Sequence, residues 1–227
     1  MAFRSLSPQS VHGRQAEARR NDLVVLDAAR DVFTAQGAAA PVSAVAERAG
    51  VGMGTLYRRY GSKTELLQRL CVLAMEQTLE AADDALQADD PWTGLAGYIR
   101  TCIELRSGAL AALAGQIETT AEMGATARRS MTRMRDLVAR AHHDGSLRPD
   151  VSALDIAWLI EQFSRRAPTA PAAPATPAVP AESAEDRNVR SRLVAIALDG
   201  LRTGPAQALP GRPPSLARYV DRWSARP

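Results

Sequence analysis

Lysine is all but missing from this chain: a single residue, Lys63, stands against 27 arginines. Aromatic side chains are scarce too, at 4%, which leaves little material for a ring-lined cleft of the kind that holds flat ligands. The two cysteines, Cys71 and Cys102, are too few for a disulfide framework and suit a reducing compartment. No apolar run approaches the roughly 18–20 residues of a membrane helix, and MAFRSLSPQS at the start has no apolar signal core. A cytoplasmic, non-membrane protein is therefore expected. Strand-period alternation and internal repeats are absent, as are a Gly-rich phosphate loop, a nucleophile elbow, an HExxH helix and a carboxylate pair. The expected class is not an enzyme, and no cofactor is expected.

What remains is an ordinary apolar content of 46% over 227 residues, enough for one large or two small folded domains. The net charge of +3 is small, but it is unevenly placed. Residues 1–63 carry nine basic against five acidic side chains, a net +4, and the remainder nineteen against twenty, a net −1. The preference for Arg and Ala is the usual mark of GC-rich coding, so arginine content alone says little. Its concentration in the first quarter points to an anionic partner there.

The periodicity reads as all-α. Residues 1–20 are polar, without an apolar period, and are expected to form a mobile arm. Helical period starts near Asn21 with Leu26, Ala29, Val32 and Phe33, and Gly37 stops it. Two short helices follow, from Val42 to about Ala49 and from Met53 to Tyr60. Ser62 and Glu65 form a capping box that opens a long helix ending at Asp89-Asp90-Pro91. Further helices are expected at about 92–106, 109–115, 118–143, 153–166 and 186–202. Between the last two lies a proline–alanine linker (167–184), with Pro168, Pro171, Pro174, Pro177 and Pro180 at every third position, the repeat of polyproline II. Ser215 is placed to cap a last turn or two carrying Leu216, Tyr219, Val220 and Trp223. The domain reading is an arm (1–20), an N-terminal unit of short helices (21–66), a larger helical unit (67–204) and a Pro-rich tail (205–227).

Residues 42–60 have the form of a helix–turn–helix: two short helices and a Gly-containing turn, which lets the second helix enter a major groove. Gly50 permits the turn, Val51 can plug the core beneath it and Gly52 can cap the second helix. That helix offers Met53, Gly54, Thr55, Tyr57, Arg58 and Arg59 on its outer side. Gly54 costs roughly 1 kcal/mol of helix stability against alanine, and close approach of the backbone to DNA is a reason for it. Lys63 sits in the first turn of the next helix, where a cation opposes the helix dipole by about 0.3–1 kcal/mol. A bound phosphate would reverse that sign; a solvated surface lysine is the competing reading.

The stretch VSAVAERAGVGMGTLYRRYGSKTELL (42–67) resembles the DNA-binding signature of the TetR family of bacterial transcriptional regulators. The matching pieces are Ala46-Glu47-Arg48-Ala49-Gly50-Val51, Gly54-Thr55-Leu56-Tyr57, Tyr60 and Ser62-Lys63, with Ala28-Ala29, Phe33 and Gly37 upstream. The resemblance implies a homodimeric one-component regulator, most often a repressor, that is released from a palindromic double-stranded operator by a small-molecule effector. It implies phosphate contacts by Thr55, Tyr57 and Lys63, and variable base or backbone contacts at Ser43, Met53, Gly54, Arg58 and Arg59. Either arginine can pair bidentately with guanine. Two departures stand out. Pro41 occupies the place of a capping Thr, leaving Ser43 as a substitute hydroxyl, and the linker is long for its position.

By the same resemblance the helices at about 153–166 and 186–202 form the dimer interface, with Trp158, Leu159, Phe163, Leu193, Ile196 and Ala197 as candidates. Candidates for the effector pocket are Trp92, Tyr98, Cys102, Arg106, Met123, Met131, Met134 and Trp158. Core packing is the competing reading for all of these. His142-His143-Asp144 is not taken as a metal site, because adjacent helical residues diverge by about 100°. Two alternatives stay open: an activator of the same fold, and a helical ligand-binding protein that has lost DNA binding. The second should show a degraded basic surface, whereas Thr55, Tyr57, Arg58, Arg59 and Lys63 are all present.

Overall fold

The fold comes from a computed structural model that describes residues 8–165, 182–205 and 207–221. The linker therefore lies outside the described residues up to 181, as do residues 1–7 of the arm and Trp223. Helix α1 runs Pro8–Gln36, α2 Val42–Ala49, α3 Met53–Tyr60, α4 Lys63–Leu86 and α5 Pro91–Glu104. A 3₁₀ helix, Ser107–Leu113, leads to α6 (Ala121–His143), α7 (Ala153–Ser164), α8 (Ala184–Leu201) and α9 (Leu216–Asp221). Among the described residues the only β-type pairing is an isolated bridge between Leu147 and Arg202.

The boundaries follow local chemistry. Ser62 Oγ accepts the Glu65 N–H at 3.1 Å, Asp90 that of Thr93 at 2.7 Å and Thr120 that of Met123 at 3.1 Å. Ser152 and Asp155 form a full capping box at α7, and Ser183 caps α8 through the Asp186 N–H at 3.0 Å. Each bond satisfies a donor that a helix start leaves open. At the far end of α4, Arg140 donates to the Leu86 carbonyl and, at 3.0 Å, to that of Ala88.

Two expectations change. Helix α1 begins at Pro8 rather than near Asn21, so the expected arm is helical from that point. The run Gln15-Ala16-Glu17-Ala18-Arg19-Arg20 consists of strong helix formers, which extend a helix without an apolar stripe. The segment expected as a helix at 109–115 is the tighter 3₁₀ form and starts earlier. Its neighbour explains the form: a Cβ on Gly108 would lie 2.5 Å from the Cα of Glu161, so the segment packs backbone against backbone on α7.

Two apolar cores result. The first gathers α1, α2, α3 and the first half of α4, with Leu26, Phe33, Leu56, Leu66 and Leu70 almost fully enclosed. The second joins the end of α4 to α5, α6, α7 and α8 around Leu95, Ile99, Leu137, Ile156 and Leu198. Helix α4 contributes to both, Leu66 to Ala74 in the first and Ala82 in the second. It is a continuous helical link between the charged N-terminal unit and the larger bundle.

Candidate nucleic-acid interface

The turn between α2 and α3 is closed by its glycine. Gly50 is left-handed at φ 67°, a conformation costly for a residue with a Cβ. It lets the Gly50 N–H reach the Glu47 carbonyl at 3.1 Å and the Val51 N–H reach that of Ala46 at 3.0 Å. The Gly52 carbonyl then accepts from Thr55 and Leu56 at 3.0 and 3.2 Å, starting α3.

Leu56 and Tyr60 anchor α3 in the first core, and the rest of the helix faces outward. Met53, Gly54, Thr55, Tyr57, Arg58 and Arg59 are all exposed. A Cβ on Gly54 would meet nothing within 4 Å, so no packing inside the chain requires glycine there. Ser43 is exposed in the first turn of α2. That helix starts from Pro41, at φ −71° and without a side-chain cap.

The two arginines separate clearly. Arg59 Nε bonds Asp22 Oδ1 of α1 at 2.7 Å, and the Tyr60 hydroxyl donates to that same oxygen. Burial and this bond push the Tyr60 phenol well above its usual range. Arg58, among the described residues, makes no ion pair or side-chain hydrogen bond. Among the described residues, the guanidinium left without a partner on the outer face of α3 is therefore that of Arg58.

Lys63 opens α4 with its ammonium 5.8 Å from the centroid of the Phe33 ring, within cation–π range. The ring steers the cation at the helix start, beside the turn that follows α3. Gly61, at φ +69°, leaves room there for Glu65, whose carboxylate would stand 2.8 Å from a Cβ on Gly61. The expected DNA contacts thus lie along the outer face of α3 and the adjoining starts of α2 and α4.

The expected effector residues are dispersed. Trp92, Tyr98, Cys102 and Met134 are buried in the second core with Met131 packed against it, whereas Met123 is buried in the first. Arg106, the one non-glycine residue of positive φ among those described, at 52°, bonds Asp31 and, at 3.0 Å, Thr34 of α1. Trp158 is half-buried, its ring edge-to-face with Tyr219 of α9 at 5.9 Å. Burial pushes the Cys71 and Cys102 thiols up to about 12, far from the range of a reactive thiolate. Among the described residues no group of three or more His, Cys, Asp or Glu is arranged to hold a metal. No helix among them is long and apolar enough to cross a membrane.

On α8, Val189, Leu193 and Ile196 are exposed at 50%, 48% and 65%. Their spacing puts them on one stripe, with Ala197 half-buried beside it. Leu159 and Phe163 of α7 are also only half-buried. Several contacts were invisible to local reading: Asp22 and Asp31 as tethers for arginines, and Tyr219 against Trp158. Their partners stand many residues apart, so no motif announces them.

Comparison with known proteins places this geometry. Residues 25–70 match the family described as bacterial regulatory proteins, tetR family. Residues 90–203 match the C-terminal domain of SbtR-like transcriptional regulators. No curated protein matches the chain significantly. Among solved structures, a TetR regulatory protein from Mycobacterium vanbaalenii is 26% identical, with TM-score 0.54, over 83% of this chain and 99% of that one. The regulator SCO0520 of Streptomyces coelicolor is 21% identical, with TM-score 0.54, over 80% and 98%. The ketosteroid regulator KstR2 of Mycobacterium tuberculosis is 20% identical, with TM-score 0.53, over 79% and 94%. A helix–turn–helix with an open basic face and a helical C-terminal bundle, matched across both units, make this chain a member of the TetR family of DNA-binding transcriptional regulators.

Proposed function

We propose that the protein is a ligand-released repressor that binds a palindromic operator as a homodimer. The observation that carries the reading is the outer face of α3, where Arg58 makes no ion pair or side-chain hydrogen bond among the described residues while Thr55 and Tyr57 flank it in solvent. An unpaired guanidinium in that place suits bidentate contact with guanine in the major groove. Thr55, Tyr57, Lys63 and Ser43 suit the phosphates that set the register.

The apolar stripe Val189, Leu193, Ile196 supports self-association, because exposed side chains at helical spacing gain by burial against a second copy. Such a dimer would present two α3 helices about 34 Å apart, one turn of B-DNA. Helix α4, packed into both cores, is the element through which a ligand in the C-terminal domain would change that spacing. A coupling of about 1–3 kcal/mol is the usual scale.

Footprinting on the DNA upstream of the gene tests the reading. A protected palindrome, occupied by two protomers and lost on Arg58→Ala, is expected. Protection without two-fold symmetry, or none at all, would overturn it. Ile196→Arg should convert the dimer to a monomer in sedimentation and abolish protection at the same concentration.

A further inference from the structure

Four polar residues of α1, Asp27, Arg30, Asp31 and Thr34, stand at i, i+3, i+4 and i+7 and so share one face of that helix. Bonds run from this face to three other elements. Arg30, only 6% exposed, donates to the side-chain carbonyl of Gln77 in α4 at 3.0 Å. Asp31 divides its two oxygens. Its Oδ2 accepts Arg48 of α2 through Nε, at 2.9 Å, and through a terminal nitrogen, while its Oδ1 accepts Arg106 from the turn after α5. The Thr34 hydroxyl accepts the other terminal nitrogen of Arg106 at 3.0 Å and donates to the Arg30 carbonyl at 2.7 Å.

The two arginines on Asp31 belong to different halves of the chain. Arg106 follows directly on α5, and its N–H bonds the Ile103 carbonyl at 3.0 Å. The 3₁₀ helix that it opens lies backbone against backbone on α7 at Gly108 and Glu161. Its guanidinium is therefore carried by the C-terminal bundle. Arg48 stands in the last turn of α2, two positions before the left-handed Gly50 that leads the chain into α3. Helix α2 starts without a side-chain cap and buries Val42, Val45 and Ala46, small side chains that hold it close to α1 but grip its tilt weakly. An ion pair in open solvent would add little to that grip. Here Asp31 and Arg106 are largely enclosed, where linked polar bonds strengthen one another.

We propose that Arg106 and Asp31 are positioning residues for DNA reading: the bundle, through Arg106, fixes the Asp31 carboxylate, and the carboxylate fixes Arg48 and with it the presentation of α2 and α3. This role rests on the reading of α3 as the helix that enters the major groove, and it adds a second line of control beside α4. Displacing the turn after α5 frees one oxygen of Asp31, so that the carboxylate can rotate and its hold on Arg48 slackens. Operator affinity then falls by the fraction of time that α3 keeps the binding orientation.

Arg106→Gly tests this, because it removes the guanidinium yet accepts the backbone at φ 52°. In gel shifts on the DNA delimited by footprinting it should bind about tenfold more weakly than the wild type. The slope of log binding constant against log salt should stay the same, since no phosphate contact is lost. Arg106→Lys restores a cation to Asp31 and should recover most of the affinity. Arg48→Ala should lose a similar factor, and the double variant no more than the larger single loss, because both act through one carboxylate. In the free full-length protein, hydrogen exchange of the α2 and α3 amides should rise about tenfold more in Arg106→Gly than that of the first half of α4, which reports global stability. An equal rise in all three helices, or additive losses in the double variant, would overturn the proposal. Operator affinity unchanged in Arg106→Gly but lowered in Arg58→Ala would overturn it alone and leave the DNA reading standing. A wild type that protects no DNA would overturn both.

Discussion

Arg106 reaches from the turn after α5 to the carboxylate of Asp31 on α1, while Thr34 takes its second nitrogen at 3.0 Å. Both partners of the ion pair are largely enclosed, at 14% and 17% side-chain exposure. The other Asp31 oxygen accepts Arg48 Nε of α2 at 2.9 Å. One carboxylate thus ties the C-terminal domain to the first helix of the N-terminal unit, on a route separate from α4.

Arg106→Ala should destabilise the fold by about 1–3 kcal/mol in urea unfolding, as expected when one partner of a part-buried charged hydrogen bond is removed. Arg106→Gly loses the same bonds but accepts the left-handed backbone, so it should be about 1 kcal/mol less harmful. Equal losses would show that the φ of 52° stores no strain.

Arg58 and Arg59 should fail differently. Arg58→Ala is expected to weaken operator binding by about 1–3 kcal/mol, with thermal stability unchanged. Arg59→Ala breaks a partly exposed ion pair to Asp22 and should cost about 0.2–1 kcal/mol of stability. Its operator affinity, measured well below the melting temperature, should change less than that of Arg58→Ala. The reverse ranking in gel shifts would transfer the base contact to Arg59.

Lys63→Ala should lower the slope of log binding constant against log salt by about 1 per protomer, the signature of one lost phosphate contact. Lys63→Arg, still cationic above the Phe33 ring, should retain the slope. A slope unmoved by Lys63→Ala would make this lysine an ordinary surface residue.

The cysteines should be inert in the native state. With both thiols pushed up to about 12 by burial, alkylation by iodoacetamide at pH 8 should run about a hundredfold or more slower than in denaturant. The sign for stability follows from a folded value raised above the ordinary one near 9. The contribution is complete at neutral pH and is lost as pH climbs toward 12. Rapid native labelling of Cys102 would mean that the second core opens readily.

Much of the chain could be read locally. The glycine turn at Gly50, the capping box of Ser62 and Glu65 and the outward set on α3 depend on neighbours within a few residues, which is the range of caps and turns. The start of α1 escaped because helix-forming residues need no apolar stripe to extend a helix that is anchored further along. The 3₁₀ segment escaped because its form is set by contact between Gly108 and Glu161, far apart in the chain. The effector candidates were gathered by size and softness, properties that cannot distinguish the core holding Met123 from the one holding Tyr98.

Helix class, the family, the placement of positive charge and the roster of candidate DNA contacts all follow from residue order, because propensity, periodicity and capping act at short range. Which arginine stays free was decided by Asp22, thirty-seven positions before Arg59. The tie from Arg106 to Asp31 and the turn of Tyr219 toward Trp158 are likewise products of packing. Only folding brings such distant side chains into contact, and a charge or a ring has no assigned role until its partner is in place.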